Sequence, residues 1–499
     1  MSRDSLSVTF VSLSSGRKTR VTRSPPPVSR ATWYPTDRVA GGEPLRAHWT
    51  SRDGRSSLAS GSLLDRMTLR QDSHDSSVTI GPMKTRSCTP PPRSLRILMI
   101  APTSFFADYG CHVRILEEIT ALQRLGHRVR LCTYHNGRNL PGIDIRRSVD
   151  VPWLKRAEVG SSRHKAYLDL ALFAETLRQL VAFRPDVIHS HLHEGALIGG
   201  VLGRLARRPV VFDYQGSLTE EMLDHGFIRK HGLRERFFRR IERRIDRIAD
   251  SVVPSGVAAR RYLECSGLDP SRIRDIPDAV DLARFDPMAA SAGGRAIRER
   301  LGIPPGARVV VYLGLLAEYQ GTSLLIDAAA SYLPRHPDVY FIVAGYPGAE
   351  IYAHHAKERG IADRVIFPGK ILYEDAPALL AAGDIAIAPK LSTTESNGKI
   401  FNYMAMELPT VATDTPTNRA ILGGLGHLFQ PGDIDGLIAA LDAAFADGSE
   451  ARAELRERIR AEFDWSHRVD DLLAVYQSLI SGQRAPEACE AAPSSPSAR

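Results

Sequence analysis

The sequence predicts an α/β protein of two doubly wound units in tandem, facing each other across a cleft and preceded by a leader disordered on its own. Three observations carry this. Short apolar runs alternate with amphipathic stretches from Leu95 to Ile480. The alternation is interrupted once, by a proline-rich stretch, and then restarts. Residues 1–94 hold 18 Ser, 13 Arg and 2 Lys without a sustained apolar period, so they bury too little to offset their ordering entropy.

The first unit spans 95–275. Leu95 to Ala101 is a continuous apolar run, the pattern of a strand covered on both faces. A loop, Thr103 to Gly110, leads to a helix with Ile115, Leu116, Ile119, Leu122 and Leu125 on one face, ending at Gly126. A strand at Val129 to Thr133 completes a βαβ unit. Next come a helix over Lys165 to Phe183, a strand over Asp186 to His191, a helix over Ala196 to Ala206 and a strand over Pro209 to Tyr214. A long helical stretch to Ile248 and a strand, Ser251 to Pro254, close the unit.

Residues 276–306, with Pro277, Pro287, Pro304 and Pro305, read as the linker. The second unit, 307–465, repeats the alternation: strands at Arg308 to Gly314, Val339 to Gly345, Arg364 to Phe367, Ile385 to Ala388 and Thr410 to Ala412. Helices fall at Thr322 to Leu333, 349–359, Ala376 to Ala382, from near Lys399, and at Ile434 to Phe445. A last amphipathic helix occupies 466–482, and 483–499 read as a disordered tail rich in Ala, Pro and Ser. In open sheets of this kind ligands bind beyond the carboxyl ends of the strands.

Charge narrows the function classes. The chain has 65 basic and 57 acidic side chains, and the leader alone supplies 15 and 7 of them, so the whole surplus of 8 lies in the leader. The remaining residues are balanced, which argues against a nucleic-acid partner. Two readings of the leader stay open: a solvated tail, or a start assigned too early with Met83 as the true start. Five scattered cysteines without a CxxC pair fit a reducing compartment. No apolar run reaches the length of about 18 that a membrane span needs. The expected location is cytoplasmic.

Glu395-Ser396-Asn397-Gly398-Lys399 stands between a strand and a helix. An Asn-Gly turn opening a helix presents backbone N–H groups, and Lys399 adds a full positive charge, which together suit a diphosphate. Glu395 just ahead can accept hydrogen bonds from sugar hydroxyls. His189, His191 and His193 alternate at the carboxyl end of a strand and share one face if the strand persists. Coordination would require converging side chains from elsewhere, so no metal is assigned.

The ordered series of motifs resembles glycosyltransferase family 4, whose members have the GT-B fold of two facing Rossmann-like domains. The resemblance rests on the opening strand and its loop at Gly110, on Arg184 to His191, and on Ile276 to Asp281 with Arg284 and Phe285. Further pieces are Val365 to Gly369, Ala382 to Pro389, Glu395 to Pro409, Gln430 to Asp433 and Phe463 to Trp465. It implies retaining, metal-independent transfer of a glycosyl group from a nucleotide-diphosphate sugar, a donor substrate with no cofactor, to an acceptor hydroxyl. The donor would sit on the second domain and the acceptor on the first, with the final helix crossing back to the first.

Departures from the family pattern are specific. Leu315 and Gln320 stand where the family carries an Arg and a Lys for the diphosphate, and Asn402 falls where a ribose-binding Glu is usual. Diphosphate binding would then rest on Lys399, on N–H groups at Gly398, Gly314 and Gly321, and on Lys390. Gln320 and Asn397 complete the expected donor set, Asn402 takes the ribose, Glu395 orients the sugar and His191 lines the reaction centre. The loss of two cations motivates a second reading, a catalytically silent nucleotide- or sugar-binding module on the same fold. The expected acceptor is a cell-envelope glycan or lipid-linked saccharide. The helix over 233–248 places Leu233, Phe237, Ile241, Ile245 and Ile248 on one face, expected to be buried, with seven arginines around the rest. An alternative reading of it is peripheral contact with anionic lipid.

Overall fold

The computed structural model describes residues 93–108, 110–150, 165–224, 227–392 and 396–482. The leader before Arg93, Glu395 and the tail from 483 lie outside the described residues. In the first domain the chain runs β1 (Arg96–Ala101), α1 (Gly110–Arg124), β2 (Arg128–Thr133), β3 (Asp144–Arg147), α2 (Lys165–Phe183) and β4 (Val187–His191). It continues through α3 (Leu192–Ala206), β5 (Val210–Tyr214), α4 (Leu218–Asp224), α5 (Leu233–Asp246), β6 (Ser251–Pro254) and α6 (Val257–Cys265). Helix α7 (Pro287–Arg300) precedes the second domain.

That domain holds β7 (Arg308–Leu315), α8 (Thr322–Tyr332), β8 (Val339–Tyr346), α9 (Ala349–Glu358), β9 (Val365–Ile366), α10 (Ala376–Leu380) and β10 (Ile385–Ala388). Then follow α11 (Lys399–Ala405), β11 (Thr410–Thr413), α12 (Pro416–Leu422), β12 (His427–Phe429), α13 (Ile434–Phe445) and α14 (Ser449–Glu462). The final helix is α15 (Trp465–Ser481).

Both sheets are parallel and six-stranded. Their orders, β3-β2-β1-β4-β5-β6 and β9-β8-β7-β10-β11-β12, are the same winding, reversing between β1 and β4 and between β7 and β10. At such a reversal the loops after two adjacent strands splay apart and leave a crevice. Continuous apolar runs form β1, β7 and β10 because helices cover both faces: Ile97 to Ala101, Val309 to Tyr312 and Ile385 to Ala388 are all fully buried.

The stretch expected to be only a linker contains α7. Asp286 caps it, accepting from the amides of Met288 and Ala289, and Pro287 occupies the first turn, where no N–H is needed. Helix α15 returns to the first domain and packs on α1, with Trp465, Val469, Leu472 and Tyr476 buried. The apolar-face expectation for α5 fails at its start. Leu233 and Phe237 are 83% and 59% exposed, while Glu242, Ile245 and Asp246 are buried. The two carboxylates face buried His193 (Nε2 to Asp246 3.4 Å and to Glu242 3.6 Å).

Candidate active site

A cavity of about 370 Å³ lies at the carboxyl ends of both sheets, between the loops after β1, β4, β7 and β10. From the second domain it is walled by Leu315, Tyr319, Gln320, Lys390, Ser396, Asn397, Gly398, Lys399 and Asn402. From the first come Gly110, Arg114, Glu117, Lys165, His193, Glu194, Gln215 and Glu221.

Lys399 opens α11. Its Nζ donates to Gln320 Oε1 at 2.8 Å and to Tyr312 OH at 3.2 Å, and it lies 4.5 Å from the Tyr312 ring centre. Two predicted donor residues, Lys399 and Gln320, are therefore in direct contact. Lys390 Nζ donates to Ser396 O at 3.2 Å, bridging the span before α11, and buried Asn397 donates to Asn418 Oδ1 at 3.3 Å. Gly398 is the residue before α11, and Asn402 lies one turn into it.

Gly314 and Gly321 are not in the cavity wall. A Cβ at Gly314 would meet Lys399 Nζ at 2.9 Å, so its bare backbone leaves room for that side chain. At Gly321, with φ +76°, a Cβ would sit 2.0 Å from Pro389 O. Its role is the close approach of the loop after β7 to the end of β10, in a conformation that favours glycine.

His191 is a correction: it does not reach the cavity. Strand β4 ends at His191, and Leu192 takes φ +60°, turning the chain straight into α3. His189 and His191, two apart on the strand, share a buried face with rings stacked at 4.6 Å, while His193 in the first turn of α3 lines the cavity instead. Register sets His191 opposite Asp213 on β5, and His191 Nδ1 lies 2.8 Å from Asp213 Oδ2. Burial lowers the pKa of His193, yet Asp246 and Glu242 outweigh it and hold the imidazole above its ordinary value.

In the first-domain wall, Arg114 of α1 binds Asp213 at 2.9 Å, Asp278 at 2.8 Å and Glu118 at 3.1 Å, and donates to Ile276 O. Burial works against the Asp213 charge, but Arg114 and His191 outweigh it and keep the carboxyl below its ordinary range. One turn on, Glu117 accepts from Tyr373 OH, from Trp465 Nε1 at 2.9 Å and from the Asp281 amide at 3.3 Å. A single carboxylate thus joins α1, the interdomain segment, the second domain and α15. Burial pushes its pKa up to about 7 against those hydrogen bonds. Across the cleft, Asp108 meets Lys370 Nζ at 2.9 Å and the Tyr373 amide at 3.1 Å, and Arg138 meets Glu374 at 2.8 Å. Sequence reading missed Arg114 and Glu117, whose partners lie up to 348 positions away. The only local signal was their i, i+3 spacing on one helix face.

Two family descriptions match this arrangement in order: "Glycosyl transferase 4-like domain" over residues 109–279 and "Glycosyl transferases group 1" over 307–447. Together they span more than half of the chain. The chain belongs to glycosyltransferase family 4. It is a GT-B glycosyltransferase that draws on a nucleotide-sugar donor. Among curated relatives, the D-inositol 3-phosphate glycosyltransferase of Mycolicibacterium gilvum is 27% identical over 439 residues, 81% of this chain and 93% of that protein. The sucrose-phosphate synthase of Thermosynechococcus elongatus superposes with a TM-score of 0.65 at 19% identity, covering 78% of this transferase and all of that chain. Anabaena HepE in complex with UDP-glucose superposes with a TM-score of 0.61 at 19% identity, covering 76% of this transferase and all of that chain. Among the described residues no helix is long and apolar enough to cross a membrane.

Proposed function

We propose that the transferase moves a sugar, with retention of anomeric configuration and without a metal at the reaction centre, from a nucleoside-diphosphate sugar to a hydroxyl of a cell-envelope glycan or lipid-linked saccharide. The observation that carries the reading is Lys399: its ammonium lies in the cavity wall at the carboxyl ends of the second sheet, held by Gln320 and Tyr312. A fixed positive charge there stabilises the charge that grows on the leaving phosphate. Asn402 offers the ribose a donor and an acceptor, and Glu395 orients the donor sugar. Leu315 and Gln320 take the places of two cations, so the grip on the diphosphate is weaker than in family members that carry both. His193 and Glu194, at the first-domain end, face the acceptor.

The proposed location is the cytoplasmic face of the membrane. On α5, Leu233 and Phe237 are exposed beside Arg234, Arg236, Arg240, Arg243 and Arg244, a combination that suits anionic lipid. Flotation with phosphatidylglycerol vesicles tests this: recovery is expected with anionic vesicles and not with phosphatidylcholine alone, and equal recovery from both removes the claim. The transfer itself is tested by incubating the full chain with UDP-, GDP- and ADP-sugars and saccharide acceptors, then reading the anomeric proton of the product by NMR. The expected product has the donor's configuration; an inverted product overturns the mechanism. Nucleotide binding without turnover across the panel supports the silent module.

A further inference from the structure

The first-domain end of the cavity is lined by Tyr134, Lys165, His193, Glu194, Gln215 and Glu221. This end receives the acceptor in the proposed function, and on that basis we infer that it takes a sugar residue carrying neither phosphate nor carboxylate, a neutral or amine-bearing one. Glu194 sets the preference by occupying the ammonium of Lys165.

The cations and amide donors of this wall are already engaged. Lys165, at the start of α2, meets Glu194 Oε1 at 2.5 Å. Burial works against the Lys165 charge, but Glu194, Glu221 and Asp169 outweigh it and hold the ammonium above its ordinary pKa. Burial likewise works against the Glu194 charge, and Lys165 outweighs it and keeps the carboxyl below its ordinary range, so both groups are ionised. Arg114 binds three carboxylates, and His193 Nε2 faces Asp246 and Glu242. Gln215 Nε2 donates to Asp213 Oδ2 at 2.6 Å, and Tyr134 OH donates to Asp169 Oδ1 at 2.6 Å. Among the described residues, each cation of the first-domain wall therefore has a carboxylate partner.

What the wall offers a ligand is acceptors. The carboxylates of Glu194 and Glu221 and the carbonyl oxygen of Gln215 accept hydrogen bonds and give none. Sugar hydroxyls and a protonated amine are donors that match them, and a hydrogen bond to a charged acceptor is stronger than a neutral one. A phosphate or carboxylate on the same sugar brings negative charge and acceptor oxygens, which repeat what the wall already has. To hold such a group, Lys165 would have to leave Glu194 and strand a carboxylate that is only 21% exposed. The positive end of α3 would draw an anion, yet Glu194 already stands in its first turn.

The test titrates four ligands into the full chain in the presence of UDP, GDP or ADP, with binding read by saturation-transfer NMR. They are a methyl glycoside, its 2-amino-2-deoxy analogue, its 6-phosphate and its uronide, each in the gluco, manno and galacto series. In the series that binds, the neutral or amino member is expected to have a Kd about tenfold lower than the phosphate and the uronide. Glu194→Gln frees Lys165 and should narrow that gap to about threefold; the wild-type comparison stands even if the variant does not fold. An anionic member bound as tightly as its neutral counterpart, no binding by any neutral or amino member, or an undiminished gap in folded Glu194→Gln overturns the inference. Sugar transfer is read separately: the expected binding order without turnover overturns the transfer reading alone, and turnover with the order reversed overturns this inference alone.

Discussion

On the second-domain wall of the cleft, Lys399 donates to Gln320 and Tyr312, whereas on the first-domain wall Arg114 is gripped by three carboxylates, Glu118, Asp213 and Asp278. The Gln320 and Tyr312 oxygens position a charge at the cavity wall. Carboxylate partners cancel one, and Arg114 becomes part of the scaffold. Removing Lys399 should therefore damage function and spare the fold, and removing Arg114 should do the reverse first.

The largest effect is expected from Arg114→Met. It strands three carboxylates, two of them fully buried, and breaking a buried pair costs about 3–5 kcal/mol. Calorimetry should show Tm falling by about 10 °C, at a few degrees per kcal/mol for domains of this size; an unchanged Tm would mean that its ion pairs do not hold the fold. Glu117→Gln comes next, because one amide oxygen replaces two acceptors serving three donors. The loss should be about 1–3 kcal/mol in denaturant titration.

Glu117 also gives the wild-type chain a pH signature. Its carboxyl titrates near 7 when folded and near 4.5 as a free side chain, so the folded state holds the extra proton between those values. Stability contributed by this group is full below about 4.5 and is lost as pH rises through 7. Glu117→Gln should flatten that slope, and an identical slope in both chains would assign it elsewhere. The smallest effect sharpens the second-domain side: Leu315→Arg with Gln320→Lys restores two cations beside Lys399 and should lower the donor KM about tenfold, equivalent to about 1.4 kcal/mol. An unchanged KM would mean that neither position meets the diphosphate.

The same contrast explains what the sequence made legible. Lys399, Gln320 and Asn402 belong to short strand–loop–helix segments of a single unit, and such local geometry follows from turn residues and apolar period. The neighbours of Arg114 come from β5, the interdomain segment and its own helix, and only tertiary structure joins them. His191 was misplaced for a local reason, the φ +60° turn at Leu192 that ends the strand two residues before His193.

Among elements, α7 was hidden because the prolines of 276–306 read as linker, although Pro287 only opens the helix and Gly293 and Gly294 lie within it. In the fold they allow close packing, since a Cβ at Gly294 would be 2.4 Å from Ala381 O. Helix α14 buries only Leu455 and Ile459, too narrow a stripe to signal a helix. Strand β12, three residues long, is below the length at which alternation shows.

In the proposed function Lys399 is the cation that meets the diphosphate. Titration of UDP, GDP and ADP into the wild-type chain and Lys399→Ala, with a melting curve of each, tests it most directly. The expected result is one nucleotide bound at least tenfold more weakly by the variant, with Tm preserved within about 2 °C, less than 1 kcal/mol. Equal affinity in both chains for the nucleotide that binds would contradict it.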